Sequence, residues 1–464
     1  MQMTLGIDVA CRAAHQGSLA DETGRFAWSG RRLRTTVADL DRLWEQVPQP
    51  VTLTVVMEPT RNAWVPLAAW FRRRGATVVM VAPEQSADLR DYYSKHAKSD
   101  RLDSRMLARL PLLHPDGLRP AEGLGPADAL RRATKLRASL VKRRNVIIAR
   151  LDCYLELLGP AWHAAFGGDL ALYTPLRFLA AGYADPHALR RLGNARLTRF
   201  IWRYSHGAWS DQHAGRLLAA ATQTLQLWDG ELSYPDPAED IATQARLALA
   251  LCAEIRDLDT KLASLLHQAD PAGILTSVPG VGIITGAQIL ARLGDPARFQ
   301  SLAGARSFTG LIPSLSASGV NGRHGPPTKK GDAPLREALF MAANAARRTD
   351  PTLAARYHRL MVTEGKHHTS ALCHISPALL TRIIACWRTQ NHYQIRDTDG
   401  TPLTTAQGRA IVAERYRVSD ELRARRRTGK AAGTSRRHQE SPGAPTPARP
   451  HPTLRPPTQT LDTT

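Results

Sequence analysis

Two aspartates lie three residues apart at the start of a predicted helix. Ser99 is suited to cap this helix, whose first turn carries Asp100 and Asp103. Residues three apart share one helix face, so the two carboxylates point the same way. Because like charges held close repel unless a cation lies between them, the pair favours a metal site. The alternative is that both acids only stabilise the helix dipole.

Two further carboxylates occur where predicted strands end. Asp8 interrupts the apolar segment 4–10, and Glu58 follows the β-branched run 51–57. An isolated charge in a strand is costly unless it is paired or coordinated, although backbone amides at a strand end could also satisfy Asp8. Neighbouring strand ends bring distant residues together, so we expect all four carboxylates to converge. Oxygen ligands without His or Cys favour Mg²⁺ or Mn²⁺, and a pair of such ions is typical of phosphoryl transfer.

The segments between these carboxylates predict a mixed sheet with helices on its faces. A hairpin with its turn at residues 21–24 follows the first strand, and an amphipathic helix precedes the strand at 51–57. A second helix at 64–74 leads to another strand at 77–81. Strands followed by alternating helix and strand are typical of an α/β domain, which we assign to residues 1–120.

Composition favours a nucleic-acid partner. The 464 residues include 62 Lys and Arg against 41 Asp and Glu, a net charge of +21, and such an excess favours a polyanion. No apolar run reaches membrane-spanning length, and the N-terminus lacks a secretion signal. The five scattered cysteines include no Cys-x-x-Cys pair, which favours a cytoplasmic protein without disulfides or zinc. Residues 401–464 are predicted to form a basic, largely disordered tail.

Residues 121–270 are predicted to be helical. Long amphipathic helices at 126–158 and 241–268 flank an insert without a readable motif, and they could pair as an antiparallel coiled coil within the chain or between subunits. The polar side of the first helix is basic. Lys142, Arg143 and Arg144 on this side are candidate nucleic-acid contacts, although a solvated helix face explains them equally well.

Residues 271–400 form a predicted C-terminal domain that begins with a Gly-rich turn. Gly280 and Gly282 precede a helix in the run Val-Pro-Gly-Val-Gly. This turn is similar to the hairpin of helix-hairpin-helix modules, in which backbone N–H groups bind a phosphate without reading sequence. A plain turn between helices is the alternative.

A Ser- and Gly-rich loop follows in the same domain. It contains Ser314, Ser316 and Ser318, and serines in loops are usually turn formers, so the pattern alone selects none of them as a nucleophile. The basic pair Lys329 and Lys330 comes next and is a further candidate for contact with nucleic acid.

Together these residues resemble the transposases of the IS110 family of insertion sequences. The N-terminal half resembles the family's DEDD domain, which has an RNase H/RuvC-like fold, through Asp8 in Gly-Ile-Asp, Glu58 in Met-Glu-Pro, and the aspartates of Lys-Ser-Asp-Arg-Leu-Asp. Residues 275–347 resemble its C-terminal transposase domain through Pro-Gly-Val-Gly at 279–282, Phe-Thr-Gly-Leu-Ile-Pro at 308–313, Ser-Gly at 318–319 and Lys-Gly at 330–331. Ala317 and Asp332 stand where the family usually has Gln and Asn. The implied fold is a RuvC-like α/β domain followed by mostly α-helical coiled-coil and helix-hairpin-helix-containing domains.

The resemblance implies a DNA transposase or recombinase that exchanges strands with Ser318 as nucleophile. Asp8, Glu58, Asp100 and Asp103 would hold Mg²⁺ or Mn²⁺. The implied partners are donor and target DNA, an element-encoded guide RNA and further copies of the chain in a dimer or tetramer, without a membrane. Two other functions remain open: a RuvC-like structure-specific endonuclease that hydrolyses with water, and a non-enzymatic nucleic-acid-binding scaffold.

Overall fold

The computed structural model describes residues 2–48, 52–81, 85–86, 99–113, 118–121, 126–294, 299, 301–318 and 321–426. Internal contacts divide the chain into two units, Met1–Gly125 and Pro126–Thr464. The first unit contains the predicted α/β domain, and the second contains the helical regions.

A mixed sheet of six strands forms the first unit, in the order β3-β2-β1-β4-β5-β6. The strands are β1 (Gln2–Asp8), β2 (His15–Asp21), β3 (Phe26–Leu33), β4 (Thr52–Met57), β5 (Thr77–Met80) and the two-residue β6 (Arg119–Pro120). Strand β1 runs antiparallel to β2 and parallel to β4, which is parallel to β5. The predicted mixed α/β sheet is therefore confirmed.

Helices cover both faces of this sheet. They are α1 (Val37–Trp44), α2 (Trp64–Arg73) and α3 (Asp100–Leu113). Because successive strand residues point to opposite faces, Leu5 and Ile7 share a core with Leu67 of α2. Gly6, between them, points to the face that α3 covers. Asp8 belongs to this second face, since it lies two residues beyond Gly6.

Two long helices, α4 (Pro126–Leu158) and α10 (Pro235–Ala269), begin the second unit. They lie antiparallel, because Arg137 pairs with Asp259 whereas the later Tyr154 pairs with the earlier Asp240. The predicted pairing thus occurs within the chain. The insert between them forms its own core, built by α5 (Ala161–Ala165), α6 (Tyr173–Ala180), α7 (Pro186–Leu192), α8 (Asn194–Tyr204) and α9 (Asp211–Trp228).

The rest of the second unit packs around another apolar core. Its elements are α11 (Ile283–Leu293), α12 (Leu302–Thr309), the hairpin of β7 (Pro313–Ser318) and β8 (Asn321–Pro327), α13 (Ala333–Ala346), α14 (Pro351–His358) with a π-helical turn (Arg359–Thr363), α15 (His368–Thr389) and α16 (Thr405–Arg415). Leu130 of α4 and Leu262 of α10 contribute to this core. The long helix pair therefore connects the two cores of the unit.

Two sequence-based assignments change with the structure. The predicted Ser- and Gly-rich loop is instead the β7–β8 hairpin, because its backbone groups pair across two short strands. The predicted tail from residue 401 includes α16, which Thr404 and Gln407 cap reciprocally. Gly408 of α16 also packs so closely on the backbone that an added Cβ would lie 2.4 Å from the Thr349 oxygen. These contacts outweigh the polar composition, while residues 427–464 lie outside the described part of the chain.

Helix α15 is long and apolar enough to cross a membrane by length and composition. Its apolar residues are buried in the unit's core, including Leu372, Ile375 and Leu379. Such burial is typical of a core helix in a globular domain.

Candidate active site

Asp8 and Glu58 lie side by side at the carboxyl edge of the sheet. Asp8 is the last residue of β1, Glu58 directly follows β4, and the register of these parallel strands places Ile7 opposite Met57. Both carboxylate residues are half-buried. The hydroxyl of Ser86 donates a hydrogen bond to Oε2 of Glu58 over 2.9 Å and orients that carboxylate.

Helix α3 brings its two aspartates to the same edge. A Cβ on Gly6 would lie 2.2 Å from the Ser104 carbonyl oxygen and 2.3 Å from the Ala108 nitrogen, so only glycine permits this approach of helix to strand. Farther along α3, Arg109 donates from Nε to the Gly24 carbonyl, in the turn after the far end of β2. The helix therefore runs antiparallel to β1, and its first turn lies near Asp8.

The start of α3 has the predicted form. The hydroxyl of Ser99 accepts a hydrogen bond from the Leu102 amide over 3.3 Å, which confirms Ser99 as a cap. Asp100 is exposed and Asp103 is half-buried in the first turn. A buried hydrogen bond of 2.8 Å between the hydroxyls of Ser18 and Ser104 fixes the helix on β2 directly after this turn.

The four carboxylates share one edge of the sheet without forming a closed ligand cage. In the described ranges, no three His, Cys, Asp or Glu side chains are close enough to hold a metal ion. The convergence of the four carboxylates on one ion therefore stays a prediction. The donor set still fits a hard divalent cation, because all four groups offer carboxylate oxygens.

His15 is part of this edge, and the sequence pattern did not single it out. Its Nδ1 accepts a hydrogen bond from the Ala10 amide over 3.1 Å, and its Nε2 donates to Oγ1 of Thr35 over 2.8 Å. Burial lowers the pKa of His15, which keeps the ring neutral. The ring therefore anchors the backbone two residues after Asp8. A lone histidine at a strand start carries no signal by which sequence reasoning could have found this role.

Ser318 ends strand β7 and pairs in register with Asn321 across the hairpin. Ser316 lies opposite Arg323 in the same strand. The side chains of Ser314, Ser316 and Ser318 lie outside the described part of the structure, so the choice among them stays a prediction. All three serines belong to the second unit, whereas the four carboxylates belong to the first.

The base of the hairpin is held by close backbone contacts. A Cβ on Gly331 would lie 2.6 Å from the Gly310 nitrogen. This close approach of the two backbone segments explains why both positions are glycine. Asp332 then caps α13 by accepting from the Leu335 amide, and it also forms an ion pair with Arg292. Lys329 and Lys330 are exposed beside this anchored segment. Their exposure is compatible with a phosphate contact.

The two glycines of the predicted phosphate-binding turn differ in role. Gly280 has φ +80°, and its Cβ would lie 2.3 Å from the Ala342 oxygen of α13, so packing alone requires glycine there. Gly282 directly precedes α11, and a Cβ added to it would meet no atom within 4 Å. No side chain caps this helix. Only Gly282 therefore has the surroundings that a bound phosphate would need.

The basic candidates on α4 remain available to a partner. Lys142 and Arg143 are exposed, and Arg144 is half-buried and donates to Oδ1 of Asn145 over 3.2 Å. Arg137, by contrast, is engaged in the ion pair with Asp259 that joins the two long helices. The structure thus separates one structural arginine from the neighbouring basic residues.

Comparisons with known proteins agree with this arrangement. A model of the DEDD transposases of IS110 elements matches residues 5–160, and one described as the transposase IS116/IS110/IS902 family matches residues 272–358. The chain is 25% identical to a 43.6 kDa protein of insertion element IS110 of Streptomyces coelicolor, covering 86% of this chain and 97% of that protein. It is 29% identical to a 44.8 kDa protein of IS116 of Streptomyces clavuligerus, covering 79% and 90%. A putative transposase for the IS117 mini-circle of Streptomyces coelicolor is 26% identical, covering 84% and 94%. The two family matches lie on the carboxylate-bearing sheet and on the hairpin-bearing domain, and the chain therefore belongs to the IS116/IS110/IS902 family of transposases and is a DNA transposase of an insertion sequence.

Proposed function

We propose that this transposase exchanges DNA strands with Ser318 as nucleophile at a divalent-metal-dependent carboxylate site, guided by an element-encoded RNA. The observation that carries the proposal is the meeting of the ends of β1 and β4 with the start of α3 at one sheet edge. This arrangement supports the proposal that Asp8, Glu58, Asp100 and Asp103 contribute to one site.

The carboxylates would hold Mg²⁺ or Mn²⁺ through oxygen donors. When bound, such an ion stabilises charge on a phosphate and favours deprotonation of a nearby hydroxyl. The surrounding residues prepare the carboxylates to bind a cation, since Ser86 orients Glu58 through its 2.9 Å hydrogen bond and His15 fixes the backbone after Asp8. Preorganisation of this kind reduces the cost of assembling the site.

The proposed nucleophilic step forms a bond between Oγ of Ser318 and a DNA phosphorus while the bond to the departing DNA oxygen breaks. The serine proton leaves with a base, and the departing oxygen takes up a proton. Because a phosphodiester replaces a phosphodiester, the reverse attack can rejoin strands without ATP. The step needs residues of both units, supplied by one chain or by two subunits of a homodimer or homotetramer.

Nucleic-acid binding follows from the charge. With a net charge of +21, backbone contacts can hold RNA and two DNA duplexes without reading sequence. Base pairing with the guide RNA would then supply target choice. Lys142, Arg143 and Arg144 on α4, Lys329 and Lys330 beside the hairpin, and the turn at Gly280 and Gly282 are the proposed contacts.

The nucleophile is tested by trapping the reaction on labelled DNA under denaturing conditions. We expect a protein–DNA adduct whose peptide mass places it on Ser318, absent in Ser318→Ala and kept in the matched variant Ser316→Ala. Full strand exchange by Ser318→Ala would contradict the assignment. Cleavage without an adduct in any variant would instead support the water-using endonuclease.

The carboxylate site is tested by Asp8→Asn. Loss of a metal ligand should slow strand exchange by about 100-fold or more, because metal-ion catalysis contributes several kcal/mol to the barrier. Binding of DNA should stay close to that of the parent. The control is Asp41→Asn in the same unit, which removes only a surface ion pair with Arg74. Strand exchange by Asp8→Asn at the parental rate would rule the site out.

A further inference from the structure

Three arginines from three helices line one pocket of the second unit. The pocket has a volume of about 300 Å³ and is lined by Arg306 of α12, Arg356 of α14 and, on α15, His374, Ala378, Thr381 and Arg382. Ala378, Thr381 and Arg382 lie four, seven and eight positions after His374, so these residues share one face of that helix. None of these residues belongs to the carboxylate edge or to the hairpin.

Only one of the three arginines has an anionic partner. Arg382 forms an ion pair of 3.1 Å with Asp350, which is 1% exposed. Arg306 donates from Nε to the neutral hydroxyl of Thr381 over 3.0 Å. Among the ion pairs of the described residues, none involves Arg306 or Arg356. The guanidinium groups of Arg306 and Arg356 therefore form no ion pair among the described residues. Glu364 is near enough to favour the charged form of Arg356, but its own ion pairs are with Arg359 and Lys366.

Two groups of this pocket carry a lowered pKa, whereas in Arg382 burial is outweighed by Tyr393 and Asp350, which raise its pKa. Partial burial and the positive charges of Arg359, Arg306 and Arg382 lower the pKa of Arg356. Burial, Lys366 and Arg356 likewise lower the pKa of His374, whose Nε2 lies 3.1 Å from Nζ of Lys366. An anion placed beside Arg356 and His374 would favour their charged forms. The pocket is thus suited to bind an anion.

We propose that this pocket binds a backbone phosphate of a nucleic-acid strand. Guanidinium groups offer planar, paired donors that match phosphate oxygens, and two of them remain available here. Pro377 and Ala378 add an apolar floor on which the adjoining sugar can lie. The proposal rests on the proposed function, since it assigns one specific contact to the nucleic acid that the transposase holds.

The decisive variant is Arg356→Gln, because the side chain of Arg356 makes no hydrogen bond or ion pair among the described residues, so the substitution should leave the fold intact. We expect weaker binding of a fluorescein-labelled single-stranded oligonucleotide. The slope of log affinity against log salt should fall by about 0.7, the value for one phosphate contact to a single strand. The matched control is Arg409→Gln on the exposed side of α16, which removes the same charge elsewhere in the unit.

A second variant fills the pocket instead of removing a charge. Ala378→Glu places a carboxylate among the arginines, and Glu is only slightly less favourable than Ala in a helix. It should keep or raise the thermal stability while lowering oligonucleotide affinity and salt slope as Arg356→Gln does. A thermal melt of each variant separates loss of binding from loss of fold.

The outcomes separate the pocket from the overall function. The pocket assignment is overturned if Arg356→Gln and Ala378→Glu both keep the parental salt slope. It is also overturned if Arg409→Gln lowers the slope as much as Arg356→Gln does. Either result would stand even if Asp8→Asn abolishes strand exchange as proposed. Inorganic phosphate at constant ionic strength could instead raise the melting temperature of the parent but not of Arg356→Gln, with oligonucleotide binding equal in both. That result would assign the pocket to a small anion and overturn the proposal that it binds a nucleic-acid strand. A parent that binds neither this oligonucleotide nor duplex DNA overturns both the pocket and the proposed function.

Discussion

At the scale of single residues, the carboxylate edge depends on neighbours that carry no charge. Asp8 is the last residue of β1. The backbone after it is held by neutral His15, which accepts a hydrogen bond from the Ala10 amide. Glu58 is oriented by Ser86. These hydrogen bonds fix the backbone and the carboxylate before any cation binds, which limits the rearrangement that binding would require.

The neutrality of His15 predicts a pH-dependent stability of this edge. Because Nδ1 accepts the Ala10 amide, a proton on Nδ1 would break that bond, and burial holds the pKa below its ordinary value of 6.5. The unfolded chain therefore binds more protons as the pH falls below 6.5. The stabilisation is present above 6.5 and is lost as the pH falls towards the lowered native pKa.

Amide exchange of peptides from β1 and β2, corrected for intrinsic rates, measures this effect. The corrected exchange rate should rise by at most about tenfold for each unit that the pH falls below 6.5, because the native contact is lost on binding one proton. His15→Gln should remove the dependence, and His213→Gln in the second unit should leave these peptides unchanged. A parental pH profile in His15→Gln would show that another group is responsible.

At the scale of elements, the site depends on how closely α3 approaches β1. The Gly6 backbone touches the helix backbone at Ser104 and Ala108, and the Ser18–Ser104 hydrogen bond fixes the helix position along the sheet. This packing sets the direction of α3 and so places Asp100 and Asp103 at the end of β1. A shift of the helix would move its first turn, with both aspartates, along β1.

Gly6→Ala should therefore destabilise the first unit by about 1–3 kcal/mol or more, because the new methyl group would overlap the α3 backbone. Urea unfolding followed by tryptophan fluorescence measures the change. Gly17→Ala in β2 is the control, since its Cβ would meet only side-chain atoms at 3.4 Å or more. Equal stability of the two variants would contradict the close approach of α3.

At the scale of the whole molecule, the positive charge is spread over several segments of the chain. Lys142, Arg143 and Arg144 lie on α4, the arginine pocket lies between α12, α14 and α15, and the net charge is +21. Affinity for nucleic acid should consequently fall steeply with salt through counterion release. Sequence-independent holding of several strands is what a guided transposase would require.

Replacing Lys142, Arg143 and Arg144 together by Ala should lower the slope of log affinity for duplex DNA against log salt by about 0.9 per lost phosphate contact. Fluorescence anisotropy over a salt series measures the slope. The charge-matched control replaces three exposed arginines, Arg190, Arg191 and Arg199, by Ala. An equal loss in both triple variants would assign the α4 residues to a solvated helix face.

The sequence by itself determined the local elements and the chemical character of the protein. Strand and helix periodicity placed β1, β4, α2 and α4 to within a few residues, because burial of one face leaves a pattern in neighbouring residues. The motifs around the four carboxylates identified the family, and net charge indicated the partner class. Each of these signals lies within a short stretch or in the composition.

Only the tertiary structure decided which elements meet. The antiparallel course of α3 against β1 follows from the backbone contact of Gly6 with Ser104, 98 positions later in the numbering. Helix α16 folds in a stretch of polar composition because Gly408 packs on Thr349. The arginine pocket joins Arg306, Arg356 and Arg382 from three helices. Periodicity states which face of an element is buried but not which partner covers it, so contacts between distant segments appear only in the fold.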